Sequence, residues 1–339
     1  MRIIFILLLI TNLFGVDIDL NLSAPQEENI TTSVVISQNE NNMTIAVIMD
    51  KNKFFQFIPP LTNSMNAYML KKGINYKIKL FDKEENLTQE LNQITKDYKY
   101  IFAYVTNADD VKIFENYPNN YFFIPTLNKS QIFYETTPNI FFGGIDYKNQ
   151  ISTLNQFVTD KTIIIYENRD LSKYITTLIL EMLQTPKSVY KYPLNYHDKN
   201  LYNDSYVYLN TQVVNSAQIL ANFTYYKIET KAVLSTQLNY TPFIFSLTNA
   251  EDVKSLIIAN SIFNINPIIE DNNLNLGSDI NFNWLVFTTS TLLNIAYNME
   301  VKEDIHFLND FGLYMFFNQI NYKTRLYKVF QNGFIKIEN

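Results

Sequence analysis

Residues Pro138–Asp170 read PNIFFGGIDYKNQISTLNQFVTDKTIIIYENRD. A short apolar strand ends at Gly143-Gly144, a polar helix follows, and the β-branched run Thr162–Tyr166 stops at Glu-Asn-Arg-Asp. Strand, helix, strand is a βαβ unit, because parallel strands cannot be joined without a helical crossover.

The same alternation extends to both sides. Upstream, Thr44–Met49 (TIAVIM) is a near-continuous apolar run, as expected of a strand buried on both faces. A helix over Leu61–Lys72 is entered through Pro59-Pro60 and closed by Gly73. Strands are predicted at Tyr76–Phe81, Tyr100–Val105 and Tyr121–Ile124, with helices at Leu87–Lys96 and Asp109–Asn116 between them. Downstream, a helix over Leu171–Leu183 leads to strands at Val189–Tyr192 and Tyr206–Leu209, then a helix over Thr211–Ala221. Phe243–Leu247 (FIFSL) is predicted as a strand, after which the chain crosses back toward the first half at Thr248-Asn249-Ala250. Trp284–Tyr297 is an apolar helix, and Asn332-Gly333 between two apolar runs signals a terminal hairpin. Alternating strands and helices mean parallel sheets, with functional loops at the carboxyl ends of the strands.

The order of TIAVIMD, the crossover Ile140–Val158, TIIIYENRD, VFTTSTLLNIAY and the ending FGLYMFFNQINYKTRLYKVFQNGFIKI resembles the type I periplasmic binding proteins, the leucine- and amino-acid-binding family. The resemblance implies an α/β fold of two Rossmann-like lobes with parallel sheets, joined by a multi-strand hinge around a cleft. On that basis lobe 1 is expected over 43–144 plus 248–300, and lobe 2 over 145–247 plus 301–339.

The beginning of the chain gives the compartment. Met1-Arg2 followed by IIFILLLI and a small residue near Gly15 reads as a secretory signal over 1–16, too short to span a bilayer. No later segment reaches the length of a span, so the mature chain is expected in the periplasm. Residues 17–42 are polar and lack a sustained apolar period, which predicts a flexible tether. Four acidic-x-Asn-x-Ser/Thr segments, at Asn21, Asn29, Asn42 and Asn86, resemble acceptor sites of bacterial periplasmic oligosaccharyltransferases. Zero cysteines exclude a lipidated cysteine, disulfides, thiol catalysis and Cys-based metal sites. A net charge of −6 argues against a nucleic-acid surface.

For chemistry, the resemblance implies anion capture at helix starts and a carboxylate for an amine. Candidate cleft contacts are Thr106, Thr126, Tyr147, Glu167 and Ser246. The family's Gly/Ser-rich turn after the first strand is replaced by Asp50-Lys51-Asn52-Lys53 and the bulky Phe54-Phe55, and the chain has only 7 glycines. His197 and His306 have no metal-ligand spacing, and no G-x-S-x-G elbow, P-loop or G-x-G-x-x-G occurs. No cofactor, metal or enzymatic activity is implied. The leading expectation is a non-catalytic periplasmic scaffold or accessory protein that binds other envelope proteins, for example in a flagellar-motor accessory structure. The alternatives are a solute receptor for a transporter or sensor, and an activator of a peptidoglycan synthase. An aromatic plug of Phe54, Phe55 or neighbouring aromatics would argue against a receptor; convergence of Thr106, Thr126 and Glu167 in an open cleft would argue against a simple scaffold.

Overall fold

A computed structural model describes residues 31–34, 42–83, 86–185, 187–330 and 333–337. The expected signal, Asn21, Asn29 and most of the tether lie outside the described residues. Two sheets, each covered by helices on both faces, build the two-lobe fold read from the sequence.

The first sheet contains β1 (Thr31–Val34), β2 (Asn42–Met49), β3 (Asn75–Asp82), β4 (Tyr100–Tyr104), β5 (Tyr121–Ile124) and β6 (Ile140–Phe142). It is completed by β12 (Phe307–Leu308), β13 (Leu313–Phe316) and β14 (Gln319–Asn321), in the order β1-β3-β2-β4-β5-β6-β14-β13-β12. The central pairs β3-β2-β4-β5-β6 are all parallel. Strand β4 is buried along its whole length, which is why it reads as an unbroken apolar run. Helix α1 is a single turn, Lys51–Phe54. Helix α2 (Ile58–Lys72) starts with prolines in its first turn and ends at Gly73, whose φ of 63° needs a residue free of Cβ crowding. Helices α3 (Leu87–Asp97) and α4 (Ala108–Phe114) cover one face of the sheet, burying Leu91, Ile94, Val111 and Phe114. Against the other face lies α2, together with α9 (Pro267–Asn275) and α10 (Trp284–Val301).

The second sheet contains β7 (Thr162–Tyr166), β8 (Lys187–Lys191), β9 (Tyr206–Asn210), β10 (Ala232–Ser235), β11 (Leu256–Asn260), β15 (Arg325–Phe330) and β16 (Gly333–Lys336), in the order β16-β15-β11-β10-β9-β7-β8. Helices α5 (Tyr147–Asn155), α6 (Asp170–Met182) and α7 (Val213–Tyr225) accompany it. The terminal hairpin is present as the antiparallel pair β15-β16.

Three expectations are corrected. The run FIFSL is α8 (Phe243–Leu247), a short helix that follows Pro242 and buries Ile244. The chain does not return to the first lobe at 248; β11 first pairs in parallel with β10 in the second sheet, so the return comes after Asn260. The stretch 307–321, expected in lobe 2, belongs to the first sheet. There β6 has a free edge, β14 takes it in parallel, and Phe142 N donates to Asn318 O at 2.8 Å.

The polypeptide therefore passes between lobes three times: after β6, after β11, and between β14 and β15. At the first crossing the two glycines allow backbone contact. A Cβ on Gly144 would lie 2.1 Å from the carbonyl carbon of Leu127, and one on Gly143 would lie 2.3 Å from Thr288 Oγ1. Gly144 N donates to Leu127 O at 2.9 Å, and Thr288 Oγ1 donates to Gly143 O at 2.6 Å.

Candidate functional site: the cleft between the lobes

The short strand-to-helix connections of the two lobes face a cleft of about 840 Å³. The first lobe contributes Phe54 and Phe57, which follow β2, and the segment Asp279–Leu285 that leads into α10. The second contributes Tyr147 at the start of α5, Leu171 at the start of α6, and the Gln237–Ser246 region. Asp279 Oδ1 accepts from Asn281 N at 3.0 Å and Phe282 N at 3.3 Å, and this turn presents Phe282 and Trp284 to the opening. Trp284 is fixed edge-on against Tyr322, ring centroids 4.6 Å apart. Among the described residues, Asp279 is the single aspartate, glutamate, lysine or arginine in the lining. An apolar surface with few polar anchors is what a recognition pocket for an apolar group requires.

The aromatic plug anticipated from Phe54-Phe55 does not form. Phe54 is buried beneath the cleft, packed on Tyr104 and Phe57 at centroid distances of 6.0 and 6.4 Å. Phe55 is 73 % exposed and points elsewhere. The opening is narrowed from below and left accessible.

The five sequence candidates do not converge. Tyr147 and Ser246 line the cleft. The Tyr147 phenol sits against the Tyr174 ring, and burial pushes its pKa well above the ordinary value, so it stays a neutral hydrogen-bonding group. Ser246 is exposed on α8. Glu167 lies in an adjoining polar pocket of about 430 Å³, which shares Leu171 and Leu238 with the main cleft. Its carboxylate accepts from Gln212 N at 3.1 Å and Asn215 Nδ2 at 2.6 Å, with Arg169 Nε at 3.6 Å. Those partners tie the loops after β7 and β9 together and occupy both carboxylate oxygens. Thr106 and Thr126 lie outside the lining of either pocket. Thr106 Oγ1 accepts from Lys53 Nζ at 2.9 Å, and Thr126 Oγ1 donates to Val105 O. The segment that replaces the glycine-rich turn is thus tied to neighbouring first-lobe loops, through Lys53 Nζ and through the backbone N of Lys51, which donates to Asp82 Oδ1 at 2.9 Å; in the loop after β3, Lys83 Nζ bonds Asp110 at 2.7 Å.

Sequence reasoning missed the residues that give the cleft its character, chiefly Leu171, Leu238, Phe282 and Trp284. The one local signal was Asn281-Phe282-Asn283-Trp284, where two aromatics alternate with asparagines just ahead of a helix. Asn283 is the N-cap, accepting from Leu285 N and Val286 N, so its neighbours are fixed at the helix mouth.

Neither a protein-family model nor a curated protein sequence matches this chain. Solved structures do. LpoA of Haemophilus influenzae superposes with a TM-score of 0.60 at 11 % identity, over 89 % of this chain and 59 % of that one. The chain thus spans about three fifths of LpoA's length. A branched-chain amino acid ABC transporter periplasmic ligand-binding protein from Burkholderia xenovorans gives 0.63 at 8 % identity, over 87 % and 94 %. A solute-binding protein of an ABC transporter from Rhodopseudomonas palustris, solved with 3,4-dihydroxybenzoic acid, gives 0.59 at 11 % identity, over 85 % and 93 %. At such low identities the likeness speaks for architecture alone, and the architecture is the two-lobe fold of the type I periplasmic binding proteins in a divergent form.

Proposed function

We propose that this chain is a non-catalytic recognition protein of the cell envelope, a scaffold or accessory subunit that holds an apolar segment of a protein in its interlobe cleft. One observation carries the reading: an open cleft of about 840 Å³ whose lining has Asp279 as its single charged side chain. Apart from Asp279 the described lining is neutral and mostly aromatic or aliphatic, which suits an apolar side chain better than the two charged ends of a free amino acid. Tyr147 and Ser246 serve as cleft contacts, Glu167 as an organiser of the neighbouring loops, and Thr106 and Thr126 as ties within the first lobe. The sequence of the leader supports export to the periplasm. A peptidoglycan synthase is one partner class to test; the fold offers no support for a flagellar assembly in particular. Asn86 is an exposed N-cap whose Oδ1 accepts from Gln89 N at 3.2 Å, leaving the cap compatible with a glycan on Nδ2. The next residue, Leu87, is buried, so glycan addition would precede folding.

A second reading is a receptor for an aromatic solute. The aromatic lining and the dihydroxybenzoate found in the R. palustris structure favour it. The test compares wild type with Leu171→Glu at the cleft lip. Envelope proteins that co-purify with wild type and are lost with the variant support the scaffold. A thermal shift with small aromatic acids, abolished in the variant, supports the receptor instead.

A further inference from the structure

The connection between β13 and β14 is the two-residue turn Phe317-Asn318, with Phe316 opposite Gln319. Both turn residues have left-handed backbone, φ 48° at Phe317 and 62° at Asn318. Turns of this kind ordinarily use Asn-Gly or Asp-Gly, because a bulky residue is crowded there. Phe317 accepts the crowding and gains no burial, being 89 % exposed. Its surroundings hold it in place: Lys129 Nζ donates to Phe317 O at 2.8 Å, and Asn318 Nδ2 donates to Pro138 O at 2.9 Å. Phe316 and Tyr314, both exposed, continue the aromatic surface with rings 6.4 Å apart. Strain kept in a turn pinned at both residues, with an exposed ring at its tip, points to a use for that ring. The turn is a pre-ordered aromatic anchor, and a partner that buries it pays little ordering entropy.

The same molecule carries a surface that wants such an anchor. The cleft is open and mostly apolar, and none of its described lining residues is a cation. We infer that the chain associates head to tail, with Phe316 and Phe317 of one copy seated in the cleft of the next, between Leu171 and Leu238 on one side and Phe282 and Trp284 on the other. The inference rests on the reading of the cleft as an apolar recognition site. Anchor and cleft are different patches, so the contact is heterologous and propagates as a ring or a filament rather than closing as a two-fold dimer.

Sedimentation velocity on the purified full chain over a concentration series tests this. Wild type sediments faster as concentration rises. Phe317→Gly weakens self-association at least about tenfold, while its melting temperature rises, because glycine suits the turn. Leu171→Glu weakens it comparably from the cleft side. Mixing the two variants gives a one-to-one dimer that grows no further, since one copy keeps only a working cleft and the other only a working anchor. A wild type that stays monomeric, or a Phe317→Gly variant that associates like wild type, overturns the inference. So does a wild-type monomer that binds phosphatidylcholine vesicles through Phe317 without self-association. If wild type is monomeric but still captures an envelope protein that Leu171→Glu loses, head-to-tail assembly falls and the proposed function stands.

Discussion

At Gly144 the hinge backbone runs so close to Leu127 that a methyl group has nowhere to go: the contact would be with backbone atoms at 2.1 to 2.5 Å. Gly144→Ala is expected to cost about 2–3 kcal/mol, read as a lower midpoint in urea unfolding. Asn86 shows the opposite extreme, an exposed residue with a single hydrogen bond to the helix it caps. Asn86→Ala removes the acceptor for Gln89 N and is expected to cost about 1 kcal/mol, and it would also remove the proposed glycan acceptor. Glu167 stands between them. Its carboxylate is buried, but its hydrogen bonds go to the loop after β9 rather than into open space. Glu167→Ala should therefore loosen the Gln212 and Asn215 region, visible as faster amide exchange there. All three positions were conspicuous in the sequence, as a Gly-Gly pair, a candidate glycan acceptor and a cleft candidate at the end of a strand. Only their three-dimensional neighbours separate the structural roles from a ligand role.

Among the elements, α10 packs into the core of the first lobe with hydroxyls as well as hydrocarbon. Thr288 Oγ1 donates to Gly143 O and lies 3.1 Å from Tyr322 OH, so one side chain touches the first and third interlobe crossings. Thr288→Val keeps the shape, takes the donor from Gly143 O while Tyr322 OH keeps Thr291 Oγ1 at 3.0 Å, and is expected to cost about 1–3 kcal/mol by thermal or chemical denaturation. The alternation of strands and helices was legible because a parallel strand buried on both faces, such as β4, leaves an unbroken apolar run. The misreadings have physical causes. FIFSL is five residues long, too short for periodicity to separate strand from helix, and Pro242 starts a helix as readily as it ends a loop. The sheet that receives β11 or β14 is decided by which edge is free after the rest has folded, and no local pattern encodes that. The cleft was illegible for the same reason: its lining comes from Phe54–Phe57, Ile145–Tyr147, Leu171, Gln237–Ser246 and Asp279–Leu285, five places in the chain that meet only in the fold.

Over the whole molecule, aromatic hydroxyls set the response to alkali. Burial raises the phenol pKa of Tyr76 and Tyr196 to about 12, and pushes those of Tyr104, Tyr208 and Tyr322 higher still. In the unfolded chain these groups titrate near 10. The folded state therefore holds more protons above that pH, and the stability they contribute, complete below pH 10, is lost as pH rises through the folded values. A steep alkaline unfolding is expected, with the phenolate absorbance of the buried tyrosines appearing together with loss of secondary structure instead of before it. The placement of β12–β14 adds a constraint in time. Because Phe307–Asn321 fills the edge beside β6, the first lobe cannot finish its sheet until residues 307–321 have been synthesised, long after β6 itself. Neither lobe is a continuous piece of chain, so the two mature together, and a nascent chain stalled after Asn260 carries an unpaired β6 edge that invites aggregation.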